Sequence, residues 1–316
     1  TLMNMFEAAR NFGAADFVVL EDVRLTYDEF FAQADSLASW LQSEAKITAG
    51  QSVAICMKNC PEWMASFVAL LNIGAVPVLI NSRGQGAVMR QAVEDADSVF
   101  IIADVKRLNS MIEAGCILPS ICVGGDAQTG EITPYEVAVK SDANFKPVTR
   151  KTDDPAAMFF TSGTTGKPKG VVTTHQNIET QITSLTTSWE WDQTDHILNI
   201  LPLHHVHGII NVMSCALWTG ACCEFLSMFN ADKIFEIFCR NEVNVFMAVP
   251  TIYYKLIAFY NELPEDRQKE ISGALKPFRL MVSGSAALPI SVLEEWKGIS
   301  GHTLLERYGM TEMGMA

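Results

Sequence analysis

AAMFFTSGTTGKPKG (residues 156–170) decides how this sequence is read. Ala156 to Phe160 are apolar, as in a buried strand. The chain then enters TSGTTGKPKG (161–170), with three glycines, four hydroxyl residues and two lysines in ten positions. Glycine admits backbone angles that other residues avoid and lets a ligand come close. Hydroxyls, backbone N–H groups and lysines supply donors and positive character, a combination suited to a phosphate chain. A Walker loop is excluded by spacing. It needs four residues between its first glycine and Gly-Lys, then Ser or Thr. Here only Thr164 and Thr165 separate Gly163 from Gly166, and Pro168 follows Lys167. So small and polar a loop also predicts mobility without ligand, because few apolar contacts can pin it.

Outward from this loop the pattern is a short apolar strand followed by an amphipathic helix. FVVLEDVRLTY (17–27) reads as two strands around a Glu21-Asp22 turn. Tyr27, Phe30, Phe31, Ala34, Leu37, Ala38 and Leu41 then keep helical spacing. Further strands are expected at 52–57, 76–80, 98–104, 120–125, 156–162, 196–202, 222–227, 244–250, 278–284 and 303–309. Such alternation predicts an α/β fold of mostly parallel sheets covered by helices, the ten strands divided between two sheets. The polar, proline-bearing segment 126–155 reads as the best internal boundary. No repeat or low-complexity tract is present, and nothing in the sequence sets an oligomeric state.

A chain of 316 residues can bury a large core. Its net charge of −13 disfavours nonspecific binding to nucleic acid or anionic membrane, while leaving room for a local basic pocket. The longest apolar run, FVALLNIGAVPVLI (67–80), is too short for a membrane helix and is broken by Asn72 and Pro77. It reads as a helix, a stop at Gly74 and a buried strand. No signal peptide opens the sequence, and the expected location is intracellular, cytoplasm or mitochondrial matrix. The eight cysteines form no CxxC pair, which points to reduced core residues rather than zinc ligands.

In open α/β sheets, ligands collect beyond the carboxyl ends of strands. Four stretches fall there: 161–170, PLHHVHG (202–208), SGSAALP (283–289) and ERYGMTE (306–312). His204, His205 and His207 permit two readings, a metal site or a substrate-lining strand end. The lack of a Cys or carboxylate at ligand spacing favours the second. SGSAALP leaves backbone accessible to a flat ring. ERYGMTE brings a stacking face at Tyr308, a hydroxyl at Thr311 and a hard oxygen at Glu312.

Together and in this order, TSGTTGKPKG, PLHHVHG, SGSAALP and ERYGMTE resemble the core motifs of the adenylate-forming superfamily of acyl-CoA synthetases, adenylation domains and luciferases. LPLHHVHGIIN, VFMAVPTIYYKL, RLMVSGSAALP and GHTLLERYGMTEMGMA look most like malonyl-CoA synthetases. The resemblance implies a layered αβαβα large domain and a two-step reaction. A carboxylate attacks the α-phosphate of ATP, giving an acyl-adenylate and pyrophosphate. Coenzyme A then displaces AMP. Malonate or methylmalonate is the expected acid. Another short, fatty or aromatic acid, or a carrier protein as acceptor, is the alternative.

By the same resemblance, Thr161, Ser162, Gly163, Thr164, Thr165, Gly166 and Lys169 would hold the phosphates. Gly284, Ser285 and Ala286 would meet the adenine, with Tyr308 stacked on it. Glu306, Gly309 and Met310 would complete the nucleotide site. Thr311 would touch the α-phosphate, and Glu312 with Thr161 would hold Mg2+. His205 would stand beside the reacting carboxylate, and Ser283 and His207 would line the acid pocket. Arg279 is expected to grip malonate's second carboxylate, since malonyl-CoA synthetases carry an arginine at the matching position. The family continues past the last motif to a ribose-binding aspartate, a hinge and a small lid domain with a lysine. Residues 1–316 are therefore expected to be the large N-terminal domain, incomplete at its C-terminal end and weakly active or inactive by itself.

Overall fold

A computed structural model describes residues 1–125, 131–161 and 168–315. Two seven-stranded sheets organise the chain. In chain order the strands are β1 (Asp16–Leu20), β2 (Val23–Thr26), β3 (Ser52–Cys56), β4 (Val76–Leu79), β5 (Phe100–Asp104), β6 (Ser120–Val123), β7 (Ile132–Pro134), β8 (Pro155–Thr161) and β9 (Lys169–Thr174). β10 (His196–Asn199), β11 (Cys222–Phe225), β12 (Val245–Ala248), β13 (Leu280–Gly284) and β14 (Leu305–Arg307) follow, then the small hairpin β15 (Gly309–Met310) and β16 (Gly314–Met315). The first sheet has the order β14-β13-β12-β10-β11-β1-β2 and the second β7-β6-β5-β3-β4-β8-β9. Pairing is parallel within both except for the β1–β2 and β8–β9 pairs at their edges.

Side-chain alternation along the strands builds five layers. Ile197, Val245, Leu280 and Val282 enter one large core with Val53, Ile55, Ala157 and Phe159 of the second sheet. Helices Tyr27–Ser43, Pro61–Asn72 and His175–Ser188 fill the space between the sheets. Leu198, Phe246, Ala248 and Met281 face the other way, onto helices that cover the outside of the first sheet. Ala54, Cys56, Val78, Ile101 and Ala103 do the same for the second. Strands buried on both faces cannot alternate with polar residues, which is why they read as continuous apolar runs.

All ten expected strands form, and so does the pair around the Glu21 turn. All seven apolar positions named between Tyr27 and Leu41 are buried on one helix. Its start is set by a capping box in which Thr26 and Glu29 bond each other's backbone N–H. Gly74 stops its helix with a positive φ of 73°. The segment 126–155 is not a boundary between sheets: within it β7 adds to β6, and β8 returns beside β4 of the same sheet. No disulfide joins any of the eight cysteines, five of which are buried. Among the described residues, no helix is long and apolar enough to cross a membrane.

Candidate active site

The carboxyl ends of β10, β12, β13 and β14 open on one rim. A cavity of about 350 Å³ there is lined by Leu201, Pro202, His205, His207, Asn211, Ser285, Gly309, Met310, Thr311 and Met315, among others. Three of the four stretches singled out in the sequence therefore meet around one space. Of the fourth, Thr161 at the end of β8 stands opposite Lys169 at the start of β9 in the second sheet, and neither lines this cavity. Ser162, Gly163, Thr164, Thr165, Gly166 and Lys167, with the expected mobility of their loop, lie outside the described residues.

A π-helix spans His207–Ser214. Single π turns inside helices are frequent at functional sites. It sets His207 and Asn211 on the cavity, and His207 Nδ1 lies 3.1 Å from Ser285 Oγ. Ser285 holds a left-handed φ of 68° at the turn after β13. A Cβ on Gly284 would come within 3.2 Å of His207 Cε1, so the turn and that ring pack closely. Among the described residues, His207 Nε2 and Asn211 Oδ1 are buried without a hydrogen-bond partner. Buried polar atoms seldom stay unpaired, so both have capacity for a further polar partner in the cavity.

The hairpin β15–β16 carries Thr311 and Glu312 on its turn. Gln181 fixes it: Met315 N donates to Gln181 Oε1 at 2.8 Å, and Asn211 Nδ2 donates to Met315 Sδ at 3.3 Å. Gly314 has a φ of 78°, and a Cβ on it would stand 2.2 Å from Gln181 Oε1. Thr311 lines the first cavity and also a second of about 470 Å³, where Glu312 and helix His175–Ser188 contribute. Thr161 and Glu312 offer hydroxyl and carboxylate oxygens, the hard donors that Mg2+ takes. Glu312 is exposed and joins no ion pair among the described residues, so its carboxylate is available. Tyr308 is 70% exposed and presents an open ring face. Glu306 acts structurally, because its Oε1 accepts from Leu288 N at 2.9 Å and ties down the SGSAALP turn.

Arg279 requires a correction. It immediately precedes β13, whose far end forms the site, about 17 Å away at ~3.3 Å per residue. Its Nε donates to Asp195 Oδ1 at 2.5 Å, its Nη2 to Asp195 Oδ2, and its Nη1 to Trp189 O at 2.6 Å. Asp195 is buried, so this guanidinium neutralises a carboxylate of the chain itself. Ser283 also stays out of the cavity; it alternates with Gly284 and faces the opposite side of the sheet.

Arg307, two residues before Gly309 of the cavity lining, is a second arginine on the same sheet, although it does not itself line the cavity. It pairs in register with Gly284, so its side chain leaves β14 on the face that carries His207 and Met315. Its guanidinium carbon lies 4.9 Å from the centroid of the Trp189 ring, and among the described residues its buried Nε has no hydrogen-bond partner. Arg307 is the second residue of ERYGMTE, and the sequence reading passes it over in favour of Arg279.

A second group missed in the sequence is cationic. Lys58, Arg83, Lys106 and Arg107 line a cleft of about 380 Å³ with Asn59, Ser82 and Pro202. These cations follow β3, β4 and β5, three adjacent strands, so one sheet edge collects them. Among the described residues only Arg107 of the four forms an ion pair, with Asp104 at 3.2 Å. Pro202 lines this cleft and the active-site cavity, which makes them neighbours.

Burial keeps the rim histidines neutral. It pushes His204 down to about 3 and His207 down to about 4, and it lowers His205 with help from Arg83. An unfolded histidine titrates near ~6.5. Below that pH the unfolded chain takes up protons that the folded chain refuses, so stability falls as pH drops. Each such histidine contributes a slope of about 1.4 kcal/mol per pH unit in this window. Urea midpoints are therefore expected to fall between about pH 6.5 and about pH 5, and His207→Gln to flatten that fall. An unchanged slope in His207→Gln would contradict burial of a neutral imidazole.

The chain belongs to the AMP-binding enzyme family, whose profile matches residues 5–316. It is 37% identical to the mitochondrial malonate–CoA ligase of Homo sapiens over 99% of this chain and 55% of that protein. Against the Bos taurus counterpart the values are 54% identity, 83% and 45%. Against the malonate–CoA ligase of Arabidopsis thaliana they are 34%, 84% and 46%. The chain thus spans about half the length of these curated relatives. The crystal structure of ATP-bound MatB from Rhodopseudomonas palustris matches with a TM-score of 0.84 at 27% identity, covering 99% of this chain and 61% of that one.

Proposed function

We propose that the full-length protein is an ATP-dependent malonate–CoA ligase of the AMP-forming kind. Residues 1–316 serve in it as the large nucleotide-binding domain. The observations that carry this reading are the meeting of PLHHVHG, SGSAALP and ERYGMTE around one cavity and, two residues before Gly309 of its lining, Arg307, whose buried Nε has no hydrogen-bond partner among the described residues. A second carboxylate buried without a cation would be very costly, and a guanidinium can meet it with two parallel hydrogen bonds. Relatives named malonate–CoA ligase support the same acid.

In this mechanism Thr161 and Lys169 flank the phosphates, and Thr311 donates to the α-phosphate. His205, neutral at physiological pH, orients the reacting carboxylate. Ser285 and Ala286 offer backbone to the adenine, and Tyr308 stacks on it. Thr161 and Glu312 would hold Mg2+, which supplies neutralisation of charge as pyrophosphate leaves. Catalysis of this kind rests on positioning and charge stabilisation more than on covalent groups of the protein. Coenzyme A carries several phosphate charges, and the cleft of Lys58, Arg83 and Lys106 is where we place them. The protein acts inside the cell, and the mitochondrial relatives favour the matrix.

The test is pyrophosphate release by the full-length protein across malonate, methylmalonate, butyrate and an aromatic acid, followed by thioester formation with CoA or a carrier protein. Malonyl-CoA as the dominant product is expected. Preference for a monocarboxylate, or for a carrier protein, would overturn the assignment. Arg83→Ala is expected to raise the KM for CoA about tenfold, as loss of a charged contact does, with adenylation unchanged. An unaltered KM for CoA would remove the cleft from the acceptor site.

A further inference from the structure

Asn59 lies outside every motif named above, in the loop between β3 and helix Pro61–Asn72. Its side chain reaches from the second sheet to the turn that follows β10 in the first. Asn59 Nδ2 donates to Leu201 O at 2.7 Å, and Leu203 N donates to Asn59 Oδ1 at 3.1 Å. One amide therefore holds both sides of Pro202. The rest of the turn is equally closed: Leu201 N donates to Asn199 Oδ1 at 2.9 Å and His205 N to Pro202 O at 3.2 Å. Gly208 packs so tightly behind it that a Cβ would come within 2.3 Å of Pro202 O. Leu201 and Leu203 are buried, so their backbone groups have no water to replace the amide.

The turn displays His204 and His205, whose rings lie 4.3 Å apart. Asn59 also lines the cationic cleft, and Arg83 of that cleft is close enough to His204 and His205 to disfavour their protonation. From this geometry we infer that Asn59 is a positioning residue: it sets the place of His205 through the Leu201–Leu203 backbone and joins the wall of the acceptor cleft to the wall of the acid pocket. The inference rests on the reading of His205 as the residue beside the reacting carboxylate. Asn59 touches no reacting atom. It acts because an amide supplies one donor and one acceptor in a single plane, matching a C=O and an N–H two residues apart.

The experiment is a double-mutant cycle in the full-length enzyme, read as pyrophosphate release with malonate and ATP. Asn59→Ser is expected to lower kcat about tenfold or more with the KM for ATP held, since a misplacement of about 1 Å can cost about a hundredfold. Asn59→Asp keeps the acceptor for Leu203 N and loses the donor to Leu201 O, and serves equally if Asn59→Ser folds poorly. In a His205→Ala background the same substitution is expected to cost less than about twofold, because residues acting through one another are non-additive. Undiminished loss in that background would overturn the inference. A structural role alone would shift the melting temperature and leave this coupling at zero.

A substrate-independent measurement separates this inference from the functional reading. By NMR, His205 in Asn59→Ser is expected to titrate closer to the ordinary ~6.5, as the released turn lets water reach the ring. An unmoved His205 titration would overturn the inference even with the enzyme active. A wild-type enzyme that releases no pyrophosphate with malonate would refute the acid assignment, and the NMR result would still decide Asn59.

Discussion

Glu312→Gln in the full-length enzyme is expected to lower pyrophosphate release by about a hundredfold or more at saturating Mg2+, a typical cost of losing one group that stabilises transition-state charge. The substitution is nearly isosteric and removes only the charge. Glu312 is exposed on the turn of a hairpin that Gln181 and Asn211 hold from below, so no packing depends on its carboxylate. The melting temperature should stay within about a degree or two, as for other surface changes of less than about 0.5 kcal/mol. Because the lost charge matters most as pyrophosphate departs, kcat is expected to fall more than the KM for ATP rises. Unchanged pyrophosphate release at saturating and at limiting Mg2+ would remove Glu312 from the metal site.

The second large effect concerns the acid. Arg307→Leu is expected to reduce kcat/KM for malonate by about a hundredfold or more, because breaking a desolvated ion pair leaves a charge buried and costs about 3–5 kcal/mol. Butyrate has no second carboxylate and should lose less than about fivefold, the size of a packing change. Arg307→Lys should recover little, since an ammonium lacks the planar fork. Arg279→Leu provides the contrast. It leaves Asp195 buried without its partner, so it is expected to destabilise the fold by about 3 kcal/mol and to affect all acids alike. Malonate-selective loss in Arg279→Leu, with Arg307→Leu unaffected, would return the acid-binding role to Arg279.

Arg279 and Arg307 show where linear sequence stops being informative. Both flank strands of the same sheet, both stand close to motif residues, and both end beside Trp189, one at its carbonyl and one over its ring. Strand direction separates them. β13 runs from Arg279 toward Gly284, and parallel pairing sets Arg307 level with Gly284 at the carboxyl end. Arg279 is taken up by Asp195, whereas Arg307 starts from the end where ligands gather and lies over Trp189 with its Nε unpartnered among the described residues.

Much was determined by the sequence alone. Continuous apolar strands alternating with amphipathic helices require parallel sheets covered on both faces, since no other arrangement buries so many runs of that length. PLHHVHG, SGSAALP and ERYGMTE stand out as strand-end stretches from sequence alone, and they meet around one cavity. What only the tertiary structure decided is convergence. Lys58, Arg83 and Lys106 follow three separate strands, Lys106 in the first turn of a helix, and become one cationic cleft because β4, β3 and β5 are neighbours in the sheet. Asn59 and Leu201 are 142 residues apart and meet because two sheets pack across one helical layer. Local spacing records what a residue does to its own turn of chain. It carries no record of which distant carbonyl, carboxylate or ring the packed layers will bring against it.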